Sequence, residues 1–399
     1  MKRDPWLIII GMDDGGFDKL SDDAKRYITS AVYIIGPKRH LSMIANLDTP
    51  CEEWPVPFNL GIDKLLTRRG LPTVMLVSGD PFWFGAGSHI TQHLADDEWL
   101  SVPSHSCFSL CASEIGWPLD KTITLGLHSA PLHRLRPHLA PGRRIMATLR
   151  DGSSVRLLAD YLIENGFGKT EIICLEKLGN AHQNIKKFCA EEIEQTEFSH
   201  PIMVALLLAG KGKILPKSFG IENSWFIHDG QISKQSIRAI TLSALAPRAG
   251  EHLWDLGAGS GSISIEWLLS DASLQATAVE KQKHRADNIR QNALMLGVDH
   301  LNIIEADISD AITKMEKPDC IFIGGGLREA LLKKLWDQIA DGTRIIANGV
   351  TLETDRLLTS AHARLGGTLT RIEISQIEGI GRMHAWKASY PITQWVVEK

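Results

Sequence analysis

The stretch Leu253-Trp254-Asp255-Leu256-Gly257-Ala258-Gly259-Ser260-Gly261-Ser262-Ile263-Ser264-Ile265-Glu266 constrains this chain more than any other. It reads as the end of a buried strand, a glycine turn and the first turns of a helix. Without a Cβ, the glycines at 257, 259 and 261 let the backbone turn sharply and let a ligand come close. The helix start then offers free N–H groups to polar ligand atoms. The spacing is G-x-G-x-G with serine at 262. A dinucleotide fingerprint wants G-x-G-x-x-G, so the pattern departs from that of a nicotinamide-dependent oxidoreductase. An acid is expected at the end of the next strand to hold ribose hydroxyls, and Glu280 closes Thr277-Ala278-Val279-Glu280.

A chain of 399 residues suggests two or three domains, and 44% hydrophobic residues is ample for their cores. The net charge is -4 and neither half is basic, which speaks against a nucleic-acid partner. The six cysteines form no C-x-x-C pair, so they read as reduced thiols with no metal site. Trp6 to Ile10 is too short for a signal sequence, and Pro201 to Gly210 is too short to span a bilayer. The expectation is a soluble, cytoplasmic protein without a membrane partner.

The first half alternates short apolar runs with helical patterns. Strands are expected at Trp6–Ile10, Ala31–Ile35, Thr73–Val77, Arg144–Thr148, Glu171–Leu175 and Ile202–Leu208. Helices are expected at Ser21–Ser30, Gly87–Leu94, Ser106–Ile115 and Ser153–Asn165. Pro103 and Pro118 interrupt the pattern and hint at two subdomains. The second half repeats strand–helix units, with strands at Leu253–Leu256, Thr277–Glu280, Asn302–Glu305, Cys320–Ile323, Arg344–Ala347, Thr368–Ile374 and Trp395–Val397. Such alternation argues an α/β fold with parallel or mixed sheets. The polar, glycine-containing run at 211–220 is expected to link a domain at 1–210 to one at 221–399.

A second glycine-rich constellation ends a strand of the first half, at Val77-Ser78-Gly79-Asp80-Pro81-Phe82-Trp83-Phe84-Gly85-Ala86-Gly87. Its aromatics can wall a flat ligand or plug a subdomain junction. The pattern S-G-D-P-x-x-F-G-x-G resembles the signature loop of the tetrapyrrole methylase family, whose members bind S-adenosylmethionine between two α/β subdomains. The opening stretch Ile8 to Ser21 is similar to that family's first strand and glycine loop. The loop at 257–261 in turn resembles that of Rossmann-like class I methyltransferases. One family joins both units in this order, the fused, decarboxylating precorrin-6Y methyltransferases of cobalamin biosynthesis (the CobL type). The chain resembles it nearly end to end, with a CbiE-like first half and a CbiT-like second half. Further likeness lies in Asp229 to Arg238, Ile321 to Gly326 and Ala347 to Glu353. Where many relatives carry S-x-H-G-R, this chain has Gly126-Leu127-His128-Ser129-Ala130.

The resemblance implies a two-subdomain tetrapyrrole methylase fold followed by a Rossmann-like class I methyltransferase domain. It implies methylation of a reduced tetrapyrrole at carbons 5 and 15 and loss of carbon dioxide from the acetate on carbon 12, with S-adenosylmethionine as cofactor. It places the cofactor at Gly257, Gly259, Gly261, Glu280 and Asp307 in the second half, and at Gly11, Asp80 and Gly85 in the first. Asp307 has a competing reading as a helix N-cap. The substrate carries many carboxylates, so cations are expected to anchor it. Candidates are His128 and Arg134, in the basic run from His128 to Arg144, and Arg382 with His384 near the last hairpin. By the same resemblance the chain is a homo-oligomer. Two other readings stay open: a class I RNA methyltransferase with an accessory α/β domain, and a C-terminal methyltransferase with a first half that only binds. The first expects an N/D-P-P-aromatic motif after the fourth strand, where Ile323-Gly324-Gly325-Gly326 stands instead.

Overall fold

Residues 5–193 and 197–399 are described here from a computed structural model. In the first part of the chain, β1 (Leu7–Met12), β2 (Tyr33–Gly36), β3 (Cys51–Glu53), β4 (Thr73–Ser78) and β5 (Trp99–Val102) form one sheet in the order β3-β2-β4-β1-β5. All its pairings are parallel. Every residue of β1 is buried, as both faces of a parallel sheet must be covered, which is why it reads as the unbroken run LIIIGM. A second sheet follows: β6 (Ile123–Gly126), β7 (Arg144–Thr148), β8 (Glu171–Glu176), β9 (Asn184–Cys189) and β10 (Ile202–Leu207), in the order β6-β7-β10-β8-β9. Only β6 and β7 pair in parallel. Caps bound the helices between: Ser21 accepts from Ala24 N ahead of Asp22–Ser30, and Ser106 accepts from Ser109 N ahead of Cys107–Ile115.

The last part builds a seven-stranded sheet from β11 (His252–Leu256), β12 (Gln275–Glu280), β13 (Asn302–Glu305), β14 (Cys320–Ile323), β15 (Arg344–Gly349), β16 (Thr368–Ile372) and β19 (Ile392–Glu398). The order is β13-β12-β11-β14-β15-β19-β16, parallel up to β15 and antiparallel beyond. The chain runs from β11 outward through β12 on one side and returns to β14 on the other. That reversal makes the carboxyl end of β11 the switch point where open α/β sheets take ligands. Between β16 and β19, β17 (Ser375–Ile380) and β18 (Met383–Ala388) pair only with each other, so β16 stops at Ile372 rather than running on to 374.

The contacts divide the chain into two units: Met1–Leu132 with Leu139–Lys213, and His133–His138 with Ile214–Lys399. Among the described residues, no helix is long and apolar enough to cross a membrane. The second unit is knit by a buried ion pair. Arg238, on helix Gln235–Leu245, meets Glu266, on helix Ser262–Ser270, at 2.6 Å with both side chains out of water. Arg238 also donates to Asn223 Oδ1 at 3.0 Å and to the carbonyls of Ile221 and Ser233. Glu266 accepts from Gly220 N at 2.5 Å and Ile221 N at 3.3 Å. The segment ahead of the first helix of this unit is thus tied down at both ends. Removing one partner leaves the other charge buried and alone. Arg238→Met is therefore expected to destabilise the second unit by about 3–5 kcal/mol, read as a lowered denaturation midpoint of its transition.

Candidate active sites

In the second unit the three loop glycines adopt φ of 78°, 60° and 74°, a left-handed region closed to most side chains. Glu280, at the end of β12, braces this loop. One carboxylate oxygen accepts from Gly259 N and the other from Gln282 N, each at 2.9 Å. The loop also hangs on β12 through Gly257 N and Ala258 N, both donating to Val279 O. A Cβ on Gly259 would stand 3.4 Å from Gln231 O, and one on Gly257 3.5 Å from Gly325 O. The backbone around 231 and the glycine run after β14 therefore flank the same turn. Asp229 holds the first of these in place, accepting from Gln231 N at 3.0 Å and pairing with Arg285 at 2.8 Å. The Arg285 hydrogen bond and that N–H hold its carboxyl far below the usual range.

Asp307 caps the short helix Ile308–Ala311, accepting from Ser309 N at 3.0 Å, and pairs with Lys281 at 3.2 Å. The cap role is thus present, and the exposed side chain stands beside Glu280 at the ends of neighbouring strands. Asp255, one residue before the end of β11, was not expected as a site residue. It is buried, with one oxygen held by Ser264 N and Oγ at 3.2 and 2.6 Å and the other without a protein partner. Burial first, and then the charge of Glu280, raise its carboxyl to about 6. Its sequence signal is an acid inside the apolar run before the glycine turn.

In the first unit the carboxyl ends of β1 and β4 open on a cavity of about 650 Å³ lined from both sheets. The lining includes Asp13 after β1, Gly79 and Gly85 around the signature loop, and Thr148 and Met203 of the second sheet. Gly11 lies beneath it: a Cβ there would overlap Gly79 O, so the two strand ends approach as only glycine permits. Asp80 turns its carboxylate on Phe82 N at 2.8 Å and shapes the loop from within. Phe84 takes φ of 52° and packs against Phe108 at 5.6 Å between ring centroids.

Residues 7–194 match the family described as Tetrapyrrole (Corrin/Porphyrin) Methylases, and residues 224–399 match the Precorrin methyltransferase domain. A precorrin-6Y C(5,15)-methyltransferase [decarboxylating] of Sinorhizobium sp is 41% identical over 98% of this chain and 96% of its own length. The chain belongs to that family of decarboxylating methyltransferases. Its namesake in Mycobacterium tuberculosis (strain ATCC 25618 / H37Rv) is 32% identical over 98% of this chain and all of its own. The solved C-terminal domain of precorrin-6Y C5,15-methyltransferase from Rhodobacter capsulatus is 45% identical, covers 46% of this chain and 100% of its own, and has a TM-score of 0.45.

The structure distributes the expected cations of this methyltransferase unevenly. His128 lines the first unit's cavity, 3.0 Å from Thr148 Oγ1, with its proton affinity lowered by burial. Arg134 lies in the segment that belongs to the second unit, where both its nitrogens reach Asp299, at 2.7 and 3.0 Å. Arg136 lies over the Trp225 ring at 4.6 Å. The basic run is therefore no single cationic face. Arg382 sits in the turn between β17 and β18 and His384 on β18, outside the sheet that carries the glycine loop. His200, Lys38 and Arg39 also line the first unit's cavity, and sequence reasoning singled out none of them as a site residue.

The raised Asp255 carboxyl has a consequence for stability. The folded state holds this proton to about pH 6 and the unfolded chain only to about pH 4. Its contribution is thus most favourable at low pH and is lost as pH rises from about 4 to about 6. Asp255→Asn keeps the shape and removes the titration. Its denaturation midpoint is expected to fall less than that of the parent between pH 4 and 7, by an amount equivalent to roughly 3 kcal/mol.

Proposed function

We propose that the chain methylates precorrin-6Y at carbons 5 and 15, with S-adenosylmethionine as donor, and removes the carboxyl group of the acetate on carbon 12. The observation that carries this reading is the match to the Sinorhizobium relative along almost the whole of both chains. Both glycine turns stand at the carboxyl ends of parallel strands, and the first opens on a cavity large enough for a small-molecule ligand. In this reading the first unit acts at carbon 5, and the second acts at carbon 15 and decarboxylates. The RNA reading loses its support, because no N/D-P-P-aromatic motif follows β14.

The second glycine turn fits the cofactor, since the Cβ positions of Gly257 and Gly259 are open, while Gly261 leaves the room that Ile289 takes. Bound there, S-adenosylmethionine supplies an electrophilic methyl group. Gly257 and Gly259 admit its close approach, and Gly261 lets the turn pack on Ile289. Glu280 keeps free lone pairs after its two backbone contacts and serves the ribose hydroxyls. Asp307 faces the adenine amine. In the first unit Gly11 and Gly85 shape the cradle and Asp80 holds its loop. The reduced ring brings an electron-rich carbon, so positioning carries most of the rate and no acyl-transfer triad is called for. His128 and Arg134 contribute to carboxylate binding in this proposal, as do Arg382 and His384.

A cytoplasmic location belongs to the same proposal, supported by six cysteines that all stand as free thiols. So does a homo-oligomer. Ile377, Ile380, Met383 and Trp386 on the β17–β18 hairpin are exposed, and a lone two-stranded sheet is marginal in water. A second copy of the hairpin offers matching edges and apolar faces. Trp386→Glu is expected to shift the mass in light scattering toward the monomer; an unchanged mass rejects this interface.

Anaerobic incubation with precorrin-6Y and excess S-adenosylmethionine, read by mass spectrometry, tests the reaction. Two added methyls and one lost carboxyl are expected. One added methyl with the carboxyl lost confines activity to the second unit and favours a first half that only binds. An unaltered substrate overturns the reading.

A further inference from the structure

We propose that Arg39 anchors a carboxylate of the tetrapyrrole substrate in the cleft of the first unit. This rests on the functional reading above, and it names a residue that neither the glycine loops nor the basic run pointed to. Lys38-Arg39-His40 follows the carboxyl end of β2 and opens the helix Lys38–Ser42. Strands β2, β4 and β1 are neighbours in that order, so three strand ends converge on Arg39. From the loop after β1, Asp14 forms an ion pair with it. From the end of β4, Ser78 Oγ accepts at 3.1 Å. From the next residue, His40 Nε2 lies 3.0 Å away.

Exposure sets the direction of this cluster. The Asp14 side chain is 5% exposed and that of Arg39 is 31% exposed. Both residues line the cavity, and the guanidinium is the more open of the two. Arg39 is the one arginine among the described residues that line the 650 Å³ cavity. His40 is fully buried, and burial, followed by the charge of Arg39, pushes its proton affinity down to about 3. Its ring is neutral at physiological pH, so Nε2 accepts from the guanidinium instead of repelling it. Nη2 donates to Ser78 and His40 and Nη1 meets Asp14, which leaves Nε and the second Nη1 hydrogen of a fixed guanidinium for a charge-assisted hydrogen bond to a carboxylate.

Charge decides between the two ligands that a methyltransferase cleft must hold. S-adenosylmethionine carries a sulfonium and an ammonium against one carboxylate, so a fixed cation facing it is unfavourable overall. The substrate is a polycarboxylate, and Lys38 lines the same cavity, while His128 and His200, whose proton affinity burial lowers, offer it neutral imidazoles. Asp14 is on this account a positioning residue, which holds the anchor and does not touch the substrate.

The test uses the full chain with Arg39→Gln, Arg39→Lys and Asp14→Asn. For methylation at carbon 5, Arg39→Gln is expected to raise the substrate KM by about tenfold or more, with the KM for S-adenosylmethionine within about twofold of the parent. Arg39→Lys is expected to recover only part of this, because three ammonium hydrogens cannot serve Asp14, Ser78, His40 and the ligand together. Asp14→Asn is expected to raise the substrate KM by less than Arg39→Gln does. An unchanged KM for S-adenosylmethionine in carbon-5 methylation reports that the first unit is folded, and carbon-15 methylation and decarboxylation report the same of the second. A substrate KM that stays within twofold in Arg39→Gln, or a changed affinity for S-adenosylmethionine alone, overturns the assignment. If the parent chain leaves precorrin-6Y unaltered, the functional reading fails, and the anchor is judged by fluorescence titration with uroporphyrin. Weaker binding by Arg39→Gln then supports a carboxylate anchor, and equal binding rejects it.

Discussion

The buried contact between Arg238 and Glu266 holds together everything that surrounds the second glycine turn. Two charges out of water are costly, and they persist because every remaining donor and acceptor finds a partner. The partners are mostly backbone groups of the segment from Gly220 to Ser233. That segment has little regular structure; Ile221 and Phe226 pack it into the core, and the ion pair fixes its backbone. It places Gln231 O next to Gly259, and Asp229 next to Arg285, so the glycine turn has a wall on the side away from its own sheet.

The two units reach a similar end by different means. In both, a parallel strand stops at a glycine and the next strand end comes close. In the second unit the close approach is bridged by Glu280, whose carboxylate ties two backbone N–H groups. In the first it is bridged by bare backbone, with Gly11 lying under Gly79 and Ser104 N donating to Gly79 O at 3.3 Å. A carboxylate brace leaves negative charge at the rim, which suits a ligand with a positive centre. A backbone brace leaves the rim neutral, and the charged groups then come from side chains around the cavity wall, Lys38 and Arg39 among them.

How much of this was legible in the sequence depends on which forces shaped each part. Buried parallel strands declare themselves as apolar runs, as Cys320–Ile323 does, and Arg144–Thr148 in the mixed sheet and the edge strand Asn302–Glu305 also stand where their sequences predict. The strands Cys51–Glu53, Ile123–Gly126 and Asn184–Cys189 did not show. The first two are three and four residues long, and the third alternates around Lys186 and Lys187, the polar pattern of an edge strand. The glycine turns were legible because local backbone geometry dictates them. Side-chain partnerships over long sequence distances were not. Arg134 read as one of a row of cations, yet Asp299, 165 residues away, takes its guanidinium. Nothing in the sequence singled out Arg39, and only the strand order β2-β4-β1 brings Ser78 and Asp14 against it.

Asp255 shows why a site can be stable and still poised for a ligand. Its carboxyl is buried, one oxygen lacks a protein partner, and Glu280 adds a like charge nearby. At neutral pH the group is mostly ionised despite these costs, since its proton is held only to about pH 6. Any positive centre arriving at the glycine turn lowers that cost, by an amount that the low local dielectric makes larger than it would be in water. On the proposed reading the cofactor brings such a centre. Burying the acid then weakens the empty site and strengthens the filled one. Part of the stability given up by the fold at neutral pH returns as affinity for a cationic ligand. On that reading, a preference for such a ligand would follow from where β11 ends and which residue stands one position before that end.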